Sequence, residues 1–437
     1  MALRSEELVG GFVKITSFET ADVRFPTSTT LAGSDATNPD PDYSVAYVTL
    51  HTDDGHRGHG YTFTIGRGND LCVEAVEMLA ARLVGESLSD PIADLARLPK
   101  LLTSDSQIRW IGPENGVVRM ATAAVVNALW DLTSRIAGKP LWKFLVDMSP
   151  LQIASVIDWT YLSDALTQDE AVTLIESRRS GIDDREKLLV RRGHPAYTTE
   201  PGWLGYSDQT MVRLLTEAVD QGFRQVKLKV GRDLDEDRRR LKLAREVVGP
   251  DIGVAVDANQ AWDVPDAIAW IEALGQFDLA WVEEPTSPDD ILGHAQIASA
   301  IAPIPVATGE MCQNRVMFKQ FLSAGAMGVC QIDACRVAGV NENLAIVLLA
   351  AKAGVPVIPH AGGCGLSEAV QHLAMFDFVA LGEAPSFDGR LIEWAEHLHE
   401  HFVTPASIVD GAYVIPSVPG ASTEMLAASI EQYRHRP

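Results

Sequence analysis

The run Gln225-Val-Lys-Leu-Lys229 opens a series of six short apolar stretches, each of which ends in a polar residue. The five that follow are Val254-Ala-Val-Asp257, Leu279-Ala-Trp-Val-Glu283, Pro305-Val-Ala-Thr-Gly-Glu310, Val329-Cys-Gln-Ile-Asp333 and Val357-Ile-Pro-His360. The steps from one end residue to the next are 28, 26, 27, 23 and 27 residues. A step of roughly 25 residues holds one strand and one crossover helix. The spacing therefore predicts an α/β fold whose parallel strands deliver polar side chains to one edge.

Helical patterns separate these strands. The predicted helices cover 208–221, 234–248, 264–274, 288–301, 314–324, 341–353 and 366–376. Further strands are predicted at 151–158 and 377–382, which gives about eight in total, and eight βα units close into a TIM-type barrel. The segment 178–206 is charged and then rich in Gly, Pro and Tyr, and we interpret it as an insertion.

The first 150 residues show a different pattern, with strands followed by helices. Predicted strands at 12–25, 44–52 and 57–66 and helices at 69–86 and 119–138 indicate an α+β capping domain. Residues 28–43 form a long polar loop, and such loops are either functional or disordered. The segment 391–437 contains a helical pattern at 391–402 and is expected to return to the capping domain. The predicted domains are therefore 1–150, the barrel at 151–390 and this C-terminal segment.

Composition restricts the classes of partner. The formal net charge of -23 argues against nucleic acid or an anionic membrane, because both need a basic surface. It does not exclude an anionic substrate, since a metal ion and local lysines can invert the field at one site. The five cysteines form no close CxxC pair, and no apolar leader follows Met1, so we expect a cytoplasmic protein. Homo-oligomerisation stays open.

Three of the strand ends carry carboxylates, from Asp257, Glu283 and Glu310. Each carboxylate alone could simply cap the helix that follows it. Three like charges gathered at neighbouring strand ends are costly without a cation. Hard oxygen ligands with room for water suit Mg²⁺. We therefore expect these three residues to bind Mg²⁺.

Two lysines occupy one face of the first strand of the series. Lys227 and Lys229 flank Leu228 and point to the barrel interior, whereas Val226, Leu228 and Val230 pack on helices. Interior lysines are rare unless they are paired or functional. A nearby cation lowers the pKa of a lysine, which can then act as a base near neutral pH. One of the two could instead be structural, and Lys227 is the better candidate to hold an oxyanion.

A histidine and an aspartate end two consecutive strands. Asp333 can accept the second ring N–H of His360, which sets the tautomer and raises the basicity of the ring. A lone histidine would more often be a satisfied core residue, but one with a carboxylate partner beside a metal site is typical of an acid/base. Together these groups predict removal of the proton α to a carboxylate, with Lys227 and the metal stabilising the enediolate.

The Lys-x-Lys strand, the Asp/Glu/Glu set and the His–Asp pair, in this order, resemble the mandelate-racemase branch of the enolase superfamily. Finer motifs resemble L-fuconate dehydratases. They include Gly33-Ser34-Asp35, Asp40-Pro-Asp-Tyr43, Trp203-Leu-Gly-Tyr-Ser-Asp208, Asp257-Ala-Asn-Gln-Ala-Trp262 and His360-Ala-Gly-Gly. The resemblance implies that the whole chain has the barrel and capping domain, with Mg²⁺ as cofactor and an acid sugar as substrate.

The resemblance also implies roles for single residues. Lys229 would take the C2 proton, and His360 would assist departure of the C3 hydroxyl, which yields a 2-keto-3-deoxy acid sugar. The implied substrate contacts are Gly33, Ser34, Asp35 and Tyr43 of a closing loop, with Lys227, Glu310, His360 and Glu393. The stretch 381–390 is longer than in the family, so Glu383 competes with Glu393 for the last position.

Three functions follow from these observations. The leading hypothesis is dehydration of L-fuconate, and polar loop residues such as Asp35 and Tyr43 suit a substrate that carries hydroxyls. A dehydratase of another aldonate, or a racemase, would use the same base pair. A catalytically idle binding protein is disfavoured, because Lys229, His360 and the three carboxylates are all intact.

Overall fold

A four-stranded antiparallel sheet and the helices that accompany it form the capping domain. The computed structural model describes residues 13–112 and 114–436. The sheet has the order β3-β2-β1-β4, with the strands β1 Val13–Arg24, β2 Ser44–Thr52, β3 Arg57–Thr64 and β4 Ser87–Leu88. The helices are α1 Asn69–Ala80, α2 Pro91–Thr103, α3 Gly116–Ile136 and α4 Leu141–Asp147. The predicted α+β pattern is confirmed, although the first helix ends at Ala80 and a short 3₁₀ turn follows.

Two glycines let the long helix α3 lie close to the sheet. A side chain at Gly60 would collide with the carbonyl oxygen of Ala124, and one at Gly58 with that of Ala128. Because glycine has no Cβ, the backbones of β3 and α3 can approach each other here. This contact packs α3 directly on the capping sheet.

Parallel strands and one irregular segment close into a barrel. The strands pair in chain order: β5 His194–Gly202, β6 Gln225–Lys229, β7 Gly253–Asp257, β8 Leu279–Glu283, β9 Val306–Thr308 and β10 Val329–Cys330. Cys330 then bridges to Val357, and the N–H of Glu393 donates to the carbonyl of Pro359 over 3.4 Å. The strand β11 Ile392–Trp394 pairs with β5 and completes the ring. The predicted α/β barrel is confirmed.

Most helices from residue 150 onward lie around this barrel, and the last of them packs on β1 of the capping domain. In chain order they are α5 Pro150–Ser155, α6 Gln168–Arg178, α7 Ile182–Arg192, α8 Asp208–Asp220, α9 Leu234–Val248, α10 Val264–Leu274, α11 Ile291–Ala300, α12 Arg315–Ser323, α13 Val340–Ala353, α14 Leu366–Phe376 and α15 Ala427–Tyr433. The seven helices predicted from 208 to 376 are confirmed, with ends shifted by up to three residues. No helix within 13–112 or 114–436 is both long enough and apolar enough to cross a membrane.

Four local predictions were wrong. The segment 151–158 is not a strand, because Ser149 and Gln152 form a capping box and Pro150 starts α5. The stretch 178–206 is not an insertion, since it holds α7 and the first barrel strand, β5. Residues 377–382 continue α14 as a π-helical turn, and 391–402 holds β11 and a 3₁₀ turn instead of a helix. Short, fully buried apolar runs do not distinguish helix from strand by periodicity.

The C-terminal residues pack on the capping domain. A short hairpin of β12 Ile408–Val409 and β13 Ala412–Tyr413 first lies against β5. The hydroxyl of Thr423 then donates to the carbonyl of His59, and the Met425 N–H donates to the hydroxyl of Tyr47. The predicted domain limits at 150 and 390 stay predictions.

Candidate active site

The polar residues of the sequence pattern meet at the C-terminal edge of the barrel strands. Lys229 pairs in register with Asp257, and Asp257 pairs with Glu283 on the next strand. Glu310 follows β9, so the three carboxylates belong to consecutive strands. One oxygen from each of these carboxylates lies within 4.8 Å of the others.

This carboxylate cluster fits a divalent cation. Asp257 and Glu283 are fully buried, and the Oε2 atom of Glu310 is buried without a hydrogen-bond partner among the described residues. Burial and the charge of Asp257 raise the pKa of Glu283 well above its usual range. Three converging oxygen donors and this unfavourable concentration of negative charge match the ligand preference of Mg²⁺.

Both lysines reach the cluster from β6. The Lys227 Nζ lies 2.5 Å from the Glu283 carboxylate and 2.8 Å from that of Glu393. The Lys229 Nζ lies 2.5 Å from the Asp257 Oδ2 atom. Burial alone would lower the pKa of Lys229, but the carboxylate of Asp257 raises it above the ordinary value. The lowered pKa expected for this base therefore depends on positive charge being added to the cluster.

His360 faces the lysines across the same site. Its Nδ1 atom lies 2.8 Å from the Asp333 Oδ2 atom, and its Nε2 atom lies 3.6 Å from Glu310. Burial would lower the pKa of His360, but the charge of Glu310 and the hydrogen bond with Asp333 raise it to about 10. These two carboxylates therefore favour the protonated ring, which can give a proton from Nε2.

The structure separates the two glutamates that competed for the last position. Glu393 on β11 is buried, pairs with Lys227 and accepts the N–H of Ala361 over 2.9 Å. Burial would raise the pKa of Glu393, but Lys227 and His360 lower it to about 2. Glu383 is exposed and pairs with Arg178 at the surface. Glu393, and not Glu383, lies in the cavity.

The loop 28–43 covers the barrel mouth. Gly33, Asp35 and Tyr43 line the cavity, and a side chain at Gly33 would collide with the ring of Tyr43. Ser34 points elsewhere: its hydroxyl donates to the Leu31 carbonyl and accepts the N–H of Gly205. The Ser34 hydroxyl thus fastens the loop to the barrel, and its contact with substrate stays a prediction.

Asp35 has a similar structural task. Its Oδ1 atom accepts the N–H groups of Thr37 and Asn38, and the Thr37 hydroxyl donates to the Asn259 carbonyl over 2.7 Å. These bonds shape the loop and dock it on the turn after β7.

The cavity under the loop has a volume of about 530 Å³. It holds Lys229, Glu310, His360 and Glu393 together. Cavity-lining residues that the sequence did not single out as site residues are Arg67, Met120, Thr199, Trp203, Asn259, Gln260, Met311 and Arg336. Position next to a metal ligand could have identified Asn259, Gln260 and Met311, whereas Arg336 gives no such signal.

Family models match most of the chain. Residues 30–145 match the mandelate racemase / muconate lactonizing enzyme N-terminal domain, and residues 210–429 match the enolase C-terminal domain-like family. This chain belongs to the enolase superfamily. Within it, the two matched models and the barrel with its capping domain identify the mandelate-racemase subgroup.

Individual relatives of this enolase-superfamily protein extend over nearly its full length. Mitochondrial enolase superfamily member 1 from Xenopus laevis is 51% identical, over 96% of this chain and 95% of its own. The crystal structure of the human protein of that name covers 97% of both chains with a TM-score of 0.95 and 48% identity. L-galactonate dehydratase from Hypocrea jecorina is 50% identical, over 97% of this chain and 94% of its own. L-talarate/galactarate dehydratase from Salmonella typhimurium LT2, liganded with Mg and L-lyxarohydroxamate, covers 100% of this chain and 96% of its own, with a TM-score of 0.76 and 25% identity.

Proposed function

We propose that this protein is a Mg²⁺-dependent dehydratase of six-carbon acid sugars of the L-galacto configuration, with L-fuconate and L-galactonate as its substrates. The observation that carries the proposal is the placement of Lys229 and His360 around one carboxylate cluster in one cavity. The L-galactonate dehydratase at 50% identity supports the substrate class. The five free, buried cysteines agree with a cytoplasmic location, which we also propose.

Asp257, Glu283 and Glu310 would hold the Mg²⁺ ion. When bound, this ion supplies Lewis-acid stabilisation of negative charge on the substrate carboxylate. With Asp257 engaged as a ligand, its carboxylate would hold the Lys229 ammonium less strongly, so Lys229 could lose its proton more readily. The expected substrate is therefore a carboxylic acid with a removable proton on its α carbon.

The side chains of the cavity supply the proton transfers. Lys229 Nζ takes the C2 proton as general base. Lys227, held by Glu283 and Glu393, donates to the oxygen on which negative charge develops. His360 Nε2 gives its proton to the departing C3 hydroxyl, and Asp333 keeps the ring oriented. Loss of water leaves an enol that tautomerises to the 2-keto-3-deoxy acid.

A racemase is the second candidate, because a lysine and a histidine on opposite sides of C2 could exchange its proton. The dehydratases among the relatives favour loss of the hydroxyl. The test is to offer a panel of aldonates with Mg²⁺ and to follow 2-keto acid formation. We expect keto acid from L-fuconate and L-galactonate, no product with EDTA, and recovery when Mg²⁺ is returned.

Two results would contradict this proposal. Epimerisation at C2 without keto acid would favour the racemase. Full activity after removal of divalent ions would refute the assignment of the carboxylate cluster as a metal site. Glu383→Gln, at the exposed glutamate, is a suitable control variant for preparation and purity.

A further inference from the structure

Arg336 is a cation of the cavity that has no carboxylate partner among the described residues. It lies three residues after Asp333, between β10 and α13, and its side chain is half-buried. Its Nη2 atom donates to the sulfur of Met311 over 2.7 Å, and its Nη1 atom lies 3.6 Å from the sulfur of Met120. Its Nε atom is buried without a partner. Among the described residues the guanidinium therefore has only thioether sulfurs as partners, and these are weak acceptors.

An oxygen-bearing molecule in the cavity would complete the hydrogen bonds of this guanidinium. A guanidinium has five N–H donors, and burying them without oxygen acceptors costs free energy. The chain carries 59 acidic residues against 36 basic ones, so acidic partners are abundant in the sequence. The described structure nevertheless places sulfur atoms beside Arg336, which leaves its donors available to an oxygen-bearing ligand.

The position of the reacting atoms indicates which part of a substrate lies near Arg336. Lys229 and His360 place C2 and C3 at the strand ends, so the remainder of the sugar extends toward the capping domain. That part of the cavity is lined by apolar groups, including Leu71, Val117 and Met120.

Two neutral polar side chains that line the cavity already have partners, and its other arginine, Arg67, is exposed at the rim. Thr64 donates to Asn69, and Asn38 donates to Asp35. Arg336 therefore offers strong donors that the described residues leave available at this end.

We propose that Arg336 donates a hydrogen bond to the oxygen on the terminal carbon of the substrate, so that the site prefers L-galactonate to its 6-deoxy counterpart, L-fuconate. This inference rests on the proposed function and adds the residue that discriminates between its two substrates. A site built to bind an oxygen discriminates strongly against the analogue that lacks it, because its buried donors then stay unpaired.

The test compares kcat/KM for the two sugars in the wild type and in two variants. Arg336→Met removes the donors and keeps a long apolar side chain. Arg67→Met is the matched control, because Arg67 lines the same cavity but is exposed at its rim. Arg67→Met removes a charge at the rim and should change kcat/KM for both sugars alike. Arg336→Met removes a direct hydrogen bond and should change kcat/KM for only one of them.

We expect the wild type to favour L-galactonate by roughly tenfold or more, on the scale of one hydrogen bond to a charged donor. Arg336→Met should remove this preference by lowering kcat/KM for L-galactonate, while turnover of L-fuconate stays within about threefold and reports correct folding. Arg336→Lys should retain part of the preference.

Turnover of both sugars with the same ratio in the wild type and in Arg336→Met would overturn the role of Arg336 and leave the proposed function standing. A wild-type preference for L-fuconate would also overturn it, because the apolar lining would then be selecting a methyl group. No turnover of either sugar by the wild type would overturn the proposed function and this inference together.

Discussion

Replacement of Asp333 by Asn separates proton donation by His360 from the rest of the site. The Asp333 carboxylate lies 2.8 Å from the Nδ1 atom of His360, and both side chains are largely shielded from water. An Asn of the same shape removes the charge and can leave the ring in the wrong tautomer. A hydrogen bond to a charged group contributes about 1.5–3 kcal/mol, so we expect kcat for dehydration to fall by roughly 10- to 150-fold.

The pH profile adds a second measurement to this prediction. Asp333 is one of the groups that raise the pKa of His360 to about 10, and the acid form of the ring exists below that pKa. Removing the carboxylate lowers the pKa of His360, so the alkaline limb of the kcat profile should move to lower pH in Asp333→Asn. Keto acid formation across pH 6–11 checks both effects. An unchanged rate with an unchanged alkaline limb would refute the role of the His–Asp pair.

Three further predictions concern the frame of the site. Glu393→Gln should reduce kcat/KM by about tenfold or more, because Lys227 loses a buried partner. Glu383→Gln at the surface should leave kcat/KM within about twofold of the wild type. Equal effects of the two substitutions would contradict the placement of Glu393. Burial lowers the pKa of His399, but the Glu368 carboxylate 2.7 Å away raises it to about 9. This pair should stabilise the fold fully below about pH 6.5 and lose its effect as the pH rises through 9. A urea midpoint that does not change between pH 6 and 10 would count against this pair. Gly60→Ala should lower stability by about 1–3 kcal/mol in thermal unfolding because it collides with α3, and an unchanged Tm would show that the helix can move away.

The barrel could be predicted because its signal repeats. Each buried strand is an apolar run with a polar end residue. The pairing of Lys229 with Asp257 and of Asp257 with Glu283 follows directly from that repeated pattern. The carboxylate cluster and the His–Asp pair could be placed near each other because parallel strands all end at one edge of the barrel.

The first and last strands of the ring could not be predicted in this way. Strand β5 contains Pro195 and Pro201 and alternates irregularly, while β11 has only three residues. Conversely, the apolar segments 151–158 and 377–382 have strand-like composition but lie in helices. The secondary structure of the first segment depends on the capping box at Ser149, and that of the second depends on burial of the whole turn. Neither can be read from the apolar pattern alone.

Side-chain direction in the capping loop was also beyond sequence reasoning. Ser34 and Asp35 stand beside Gly33 in a motif implied to contact substrate; in the structure the Ser34 hydroxyl accepts the N–H of Gly205, and Asp35 lines the cavity while it bonds its own loop. The position of Arg336 beside Met120 depends on how the capping domain sits on the barrel. Such contacts between distant segments carry no local pattern.

The most direct measurement of the central account is the fate of the C2 proton in D₂O. With Mg²⁺ and L-galactonate, His360→Asn should still incorporate deuterium at C2 through Lys229 but form keto acid at least about 100-fold more slowly. Lys229→Ala should show neither deuterium incorporation nor keto acid. Deuterium incorporation at the wild-type rate in Lys229→Ala, or wild-type dehydration by His360→Asn, would contradict the assignment of base and acid.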